Sequence, residues 1–156
     1  MLTIPIPGFG ELRLVHLVSD FNGTLARDGR LVPGMREVLA DLARDLRIHV
    51  VTADTHGGAA EELDGLPVSV EIIPPGGQGR AKRAFVDRLG AETVVALGNG
   101  LNDREMLAAA ALGIAVVQGE GAAAATLASA DVVVTAASDA LDLLRHPRRL
   151  VATLRD

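Results

Sequence analysis

The sequence predicts a doubly wound, Rossmann-like parallel α/β sheet in a single domain, residues 1–156, and three observations carry that prediction. Apolar, β-branched runs recur at steady intervals, segments with helical spacing separate them, and the runs are apolar nearly throughout rather than at alternate positions. Strands of that kind are buried on both faces, which calls for helices above and below a parallel sheet. At 156 residues the chain is near the modal size of one domain, long enough for a real core and short for two.

The elements follow in order. Residues Leu2–Ile6 read as an edge strand folded back through a turn at Gly8–Gly10, with Pro5 and Pro7 keeping it at the edge. The run "LRLVHLVS" then leads into Asp20. After Pro33, residues Met35, Val38, Leu39, Leu42 and Leu46 fall on one helical face. "RIHVVTA" before Asp54, "VSVEII", "TVVALG" before Asn99, "GIAVV" and "DVVVT" supply the remaining strands. Helices are predicted between them at about 57–63, 80–89, 103–111, 122–129 and 139–144. The cluster Arg145, His146, Arg148 and Arg149 reads as a solvated helix end.

Composition narrows the function. The 49% hydrophobic and 22% charged content is that of an ordinary globular chain rather than a disordered or fibrous one. The absence of Cys removes disulfides, thiolate metal sites and a Cys nucleophile, and suits a reducing cytoplasm. No apolar run of bilayer length lacks a charge or glycine, and the N-terminus has prolines where a signal peptide would be apolar, so no membrane partner is expected. A net charge of −5 with neither Trp nor Tyr leaves no basic field or stacking platform for nucleic acid.

In an open α/β sheet, reactive groups gather beyond the C-terminal ends of the strands where strand order reverses. Polar residues follow three of these strands in that way: Asp20 and Asn22, then Thr52 and Asp54, then Asn99, Asn102 and Asp103. Asp20 ends a buried run and is presented as a nucleophile; a carboxylate can take a phosphoryl group as an acyl phosphate and divide one hard hydrolysis into two easier steps. The plainer alternative is an Asp capping the turn that follows. Fourteen of the fifteen basic residues are Arg, and the single Lys, Lys82, stands in "GRAKRAF". Its compact ammonium suits neutralising a carboxylate and a bound phosphoryl group; otherwise it is a solvated helix lysine. The four histidines, at positions 16, 49, 56 and 146, form no ligand pair at a useful spacing and read as packing or surface.

Taken together, "DFNGTLA", "VVTAD", the Lys of "GRAKRAF" and "GNGLNDREMLAAAALGIAV" resemble, in order, the four motifs of the haloacid dehalogenase superfamily. Within that superfamily the chain looks like the phosphorylation domain of P-type ATPases. The resemblance implies a Mg²⁺-dependent phosphatase, with Asp20, Thr52 and Lys82 as catalytic residues. Phosphate would be bound by Asn22, Gly23, Thr52, Ala53, Lys82 and Asn102, with Asn102 either contacting phosphate or orienting Asp103. Metal ligands would come from Asp20, the carbonyl of Asn22, and Asn99 or Asp103. The family's usual first acid of the fourth motif is here the amide Asn99, which lowers the charge around the metal and favours Asp103 as the charged ligand. Asp54 has no assigned role beyond capping the helix after it.

Two departures set the expected behaviour. Neither interval, from Thr24 to Thr52 or from Asp54 to Lys82, has room for a cap domain; the first holds only a small flap at "ARDGRLV" and one helix. The site is therefore expected to be open to a phosphorylated small molecule or phosphoprotein, with apolar surface that a homo-oligomer interface could cover. The residue two after the nucleophile, an Asp in typical phosphatases of the family, is Asn22. An amide does no general acid–base work near neutral pH, so turnover is expected to be slow. The alternative is a near-silent regulator that binds phosphate or becomes phosphorylated and acts through a partner.

Overall fold

Six parallel strands form the central sheet of the computed structural model, which describes residues 1–54 and 57–156. Their spatial order is β10 (Val132–Val134), β9 (Leu112–Val116), β8 (Val94–Gly98), β3 (His16–Ser19), β6 (Arg47–Thr52), β7 (Val68–Ile72). The chain enters at β3, proceeds outward through β6 and β7, then crosses back to β8 on the other side of β3. Strand order thus reverses at β3, and Asp20 follows its last residue.

The sheet separates two apolar layers. One contains Leu17, Val50, Leu97 and Ile114 with α1 (Met35–Leu42), α2 (Gly58–Glu62), α6 (Ala137–Arg145) and α7 (Pro147–Leu154). The other contains Val18, Val51, Ala96 and Ala115 with α3 (Gln78–Leu89) and α4 (Arg104–Ala109); α5 (Ala124–Ser129) packs on α4. Consecutive residues of one strand thus serve opposite layers, which is why the sequence runs are continuously apolar. Among the described residues no helix is long and apolar enough to cross a membrane.

Several expectations need correction. The N-terminal segment does not edge the central sheet: β1 (Leu2–Ile6) and β2 (Gly10–Leu14) form a separate antiparallel hairpin. The run "LRLVHLVS" is divided at Val15, and only its second half enters the parallel sheet. Ile4, Ile6, Leu12 and Leu14 turn one face of that hairpin into the first layer, so burial rather than pairing with the sheet fixes its place. The helix expected from residue 122 begins at Ala124. The basic cluster is a solvated helix end, as expected, and continues into the next helix: Arg145 closes α6, and Pro147 occupies the first turn of α7, where its missing N–H costs nothing. Arg145 pairs there with Asp41 and Asp142.

The described histidines are packing or surface residues, as expected. Strand register sets His16 beside His49, with Nδ1 and Nε2 3.0 Å apart, and His49 Nδ1 lies 2.8 Å from the Ser69 hydroxyl. His146 is exposed between α6 and α7, and His56 lies outside the described residues.

Candidate active site

Asp20 extends from β3 into a cavity of about 420 Å³ at the C-terminal edge of the sheet. Its side chain is 13% exposed, and Oδ1 accepts a hydrogen bond from Lys82 Nζ at 2.7 Å. Lys82 lies one turn before Phe85 and Val86 on the buried face of α3, which carries the ammonium inside the protein. A second acceptor completes its environment: Asp103 Oδ1, at 2.6 Å. One cation is shared between two carboxylates, which leaves net negative charge beneath the cavity.

That arrangement shifts both partners. Burial, then the charge of Asp103, pushes the Asp20 carboxyl up to about 7 against the opposing pull of Lys82. Burial by itself would lower the Lys82 ammonium, but the Asp20 and Asp103 carboxylates outweigh it and hold it above its usual range.

Asp103 is fully buried, and its other oxygen, Oδ2, accepts the backbone N–H groups of Asn99 at 3.0 Å and Gly100 at 2.9 Å. Gly98 makes this approach feasible, because a Cβ there would lie 2.5 Å from the Asp103 side chain. The sequence reading favours Asp103 as the charged metal ligand; here one of its oxygens holds Lys82 and the other the strand end.

Asn99 is itself tied at both ends. Its Oδ1 accepts from the Thr24 hydroxyl at 3.3 Å, and its Nδ2 donates to the Gly121 carbonyl at 3.1 Å. A carboxylate could not make the second bond, so the amide has a structural reason independent of any metal. Gly23, with φ +80°, is pressed against it: a Cβ at position 23 would meet the Asn99 amide at 2.5 Å and Glu120 Oε2 at 2.6 Å.

Of the residues singled out by sequence, Asp20, Asn22, Thr52, Ala53, Asn99 and Asn102 line the one cavity. Lys82 contacts it through Asp20, and Gly23 packs behind Asn99. Asn102 Nδ2 donates to Gln78 Oε1 at 2.6 Å, and Asn102 lines the cavity. The Asp54 carboxylate accepts from the Ala59 N–H at 2.7 Å in the first turn of α2, as a capping residue does, and also lines the cavity. Gln78 and Glu120 are lining residues that sequence reasoning missed. Gln78 follows the Gly-Gly turn that opens α3, a position where a side chain facing a strand-end site could be suspected; Glu120 stands in a loop with no motif.

No cap covers the cavity among the described residues. Between Thr24 and Thr52 stand only α1 and a two-stranded hairpin, β4 (Ala26–Arg27) with β5 (Arg30–Leu31). Asp28 and Gly29, at φ 51° and 78°, form its tight turn. Between Asp54 and Lys82 stand α2, β7 and the start of α3.

A family model described as haloacid dehalogenase-like hydrolase matches residues 65–141. An uncharacterized protein of Methanocaldococcus jannaschii is 51% identical over 63 residues, which cover 40% of this chain and 68% of that protein. A phosphoserine phosphatase of Mycobacterium tuberculosis is 36% identical over 94 residues, covering 57% of this chain but only 22% of that longer relative. Among solved structures, a 3-deoxy-D-manno-octulosonate 8-phosphate phosphatase from Moraxella catarrhalis, in complex with magnesium and phosphate ions, superposes with a TM-score of 0.66. It is 17% identical, over 91% of this chain and 94% of that one. The cobalt-bound deoxy-D-mannose-octulosonate 8-phosphate phosphatase of Haemophilus influenzae gives 0.72 at 13% identity, over 92% and 94% of the two chains. At those identities the likeness is one of fold.

Proposed function

The chain belongs to the haloacid dehalogenase-like hydrolases, and within that family we propose that it hydrolyses phosphate monoesters or acyl phosphates through an aspartyl phosphate on Asp20. The observation that carries this reading is Asp20 itself, at the strand-order reversal, facing a cavity and backed by the buried Lys82. In the first step a carboxylate oxygen of Asp20 bonds to phosphorus while the bond from phosphorus to the leaving oxygen breaks. The leaving oxygen takes its proton from solvent, because Asn22 has none to give near neutral pH. In the second step water attacks phosphorus, the acyl phosphate bond breaks, and inorganic phosphate and the Asp20 carboxylate are restored. Lys82 neutralises the carboxylate and the incoming phosphoryl oxygens throughout, and Thr52 and Asn102, which line the same cavity, would donate to those oxygens.

The residues lining the cavity offer oxygen donors, among them the Asp20 and Asp54 carboxylates and the oxygens of Asn22 and Asn99. That chemistry fits Mg²⁺, which takes one or two carboxylates and keeps waters or phosphate oxygens. It also fits the finding that no three His, Asp or Glu side chains among the described residues gather into a metal cage. When bound, the cation would neutralise developing charge on the phosphoryl oxygens. Substrates with good leaving groups suit the site best, since it supplies no acid.

The test is hydrolysis of an activated aryl phosphate and of acetyl phosphate with Mg²⁺, with beryllium fluoride trapping to locate the adduct. Turnover of either, with the adduct on Asp20, supports the reading; no turnover and no adduct would sink it. The amide at position 22 favours one second reading, a phosphate-binding or phosphorylated regulatory protein, and an adduct on Asp20 without measurable turnover would select it.

A further inference from the structure

Resting on the phosphohydrolase reading, the geometry points to Glu120 as the charged oxygen donor that completes the cation site, taking the part that neither Asn99 nor Asp103 can take.

The site is short of available carboxylate. Asp103 is sealed, with one oxygen on Lys82 and the other on two backbone N–H groups. Asp20 shares the same ammonium, and position 99 is an amide held to Gly121. A divalent cation seated there would find Asp20, whose charge Lys82 already partly cancels, and Asp54, whose Oδ2 already accepts from the Ala59 N–H.

Glu120 fills that gap by position. It is exposed and lines the same cavity as Asp20, Asn22 and Asn99; a Cβ on Gly23 would meet both its Oε2, at 2.6 Å, and the Asn99 amide, at 2.5 Å. The carbonyl of Asn22, the neighbouring residue, belongs to the donor set. Glu120 therefore stands over the group of oxygens expected to hold the ion.

The loop that carries it is fastened to both halves of the site. Gln118 Nε2 donates to the carbonyls of Gly23 and Thr24 at 3.3 and 2.9 Å, and its Oε1 accepts from the Ala137 N–H at 2.9 Å. The turn closes through Gly121 N–H to the Gln118 carbonyl at 2.7 Å. Beyond it, Asn99 Nδ2 grips the Gly121 carbonyl, and the Asn99 carbonyl accepts from Ala123 N–H at 2.9 Å. The amide at 99 thus holds the turn that delivers the acid at 120. Charge absent from one position is supplied from the next element, at a distance set by this lacing.

The experiment measures cation binding without substrate, by Mg²⁺ titration calorimetry and by Mn²⁺ electron paramagnetic resonance. Glu120→Gln is compared with wild type and with Glu92→Gln, a remote substitution that makes the same change in net charge. Glu120→Gln should weaken cation binding about ten- to hundred-fold, the range typical when a supporting group at a metal site is lost, while Glu92→Gln stays within about two-fold. Adding Asn99→Asp to Glu120→Gln should restore part of the affinity. Cation binding by Glu120→Gln within about two-fold of wild type overturns the proposal, as does an equal loss in Glu92→Gln or the absence of binding by wild type. Aryl phosphate turnover and Asp20 trapping, followed in parallel on wild type, judge the phosphohydrolase reading separately. Thermal melts check that the exposed substitution leaves the fold intact.

Discussion

The two ends of β3 and β6 hold polar groups in opposite ways. At the C-terminal end, Asp20, Lys82 and Asp103 form a charged trio with one carboxylate in excess and a cavity above it. At the other end, His16, His49 and Ser69 form a hydrogen-bonded chain, and the Phe85 ring stands edge-on to His49 at 5.4 Å. Burial, then the Arg47 charge, holds His16 below its usual range. Burial, then His16 and Arg47, does the same to His49, so the chain is neutral at physiological pH. The difference teaches what marks a reactive site in this fold. A polar cluster satisfied by its own members holds strands in register, whereas a buried one left with uncompensated charge and space is prepared for a ligand.

The largest effect expected is at the charged end. Asp20→Asn removes the nucleophile and should lower turnover on the order of 10³-fold or more, with no beryllium fluoride adduct. Undiminished turnover would break the comparison outright, because the charged cluster would then be as structural as the histidine one.

Next comes Lys82→Met. It leaves Asp103 buried without its cation, and removing one partner of a buried ion pair costs about 3–5 kcal/mol. Denaturant unfolding reads this directly. A loss below about 1 kcal/mol would mean that the two backbone N–H bonds suffice to keep Asp103 buried without the ammonium.

Asn22→Asp tests the charged end in the other direction. It keeps the backbone carbonyl and supplies an acid–base group, a device worth on the order of 10²–10⁴ in favourable geometry. The new charge near Asp20 opposes phosphate entry, so a net gain of about tens-fold is expected, larger on alkyl phosphates than on acetyl phosphate. No gain on either, with the fold intact, would favour the regulatory reading.

How much of this was legible in the sequence follows from what each feature depends on. Asp20, Thr52 and Asn99 were legible because each stands where an apolar run stops, and Lys82 because it is the single lysine. The six-stranded sheet was legible for the same reason, since each strand is apolar through both faces. The role of Asp103 was not, because its two backbone bonds depend on how the chain after β8 curls, and spacing alone does not show that its oxygens are occupied. Glu120 was invisible because it belongs to a loop whose place depends on Gln118 reaching back to residues 23 and 24. The histidine pair was hidden by distance: 33 positions separate the partners, and only the parallel register of β3 and β6 joins them. The N-terminal hairpin was misplaced because its alternating burial would suit an edge strand equally well.

The smallest effect expected is a pH dependence of stability with opposite signs at the two ends. In metal-free protein the Asp20 carboxyl is raised from 3.8 to about 7, so across that window the folded state holds more protons than the unfolded one. Its contribution is greatest below pH 4 and is lost as pH rises towards 7. The histidines are lowered from 6.5, so below that value the unfolded state takes up protons that the folded state resists. Their contribution is complete above pH 6.5 and is lost as pH falls. Wild type should show a shallow profile in which these terms partly cancel. His49→Gln keeps groups that can bond Ser69 and His16 but removes one titration, and Asp20 is common to both proteins. The difference between their profiles therefore isolates the histidine pair. Between pH 7 and 5 the melting temperature of wild type should fall further than that of His49→Gln. Parallel profiles would mean that the pair titrates alike in both states, and the neutral end of the sheet would then lose its distinction from the charged one.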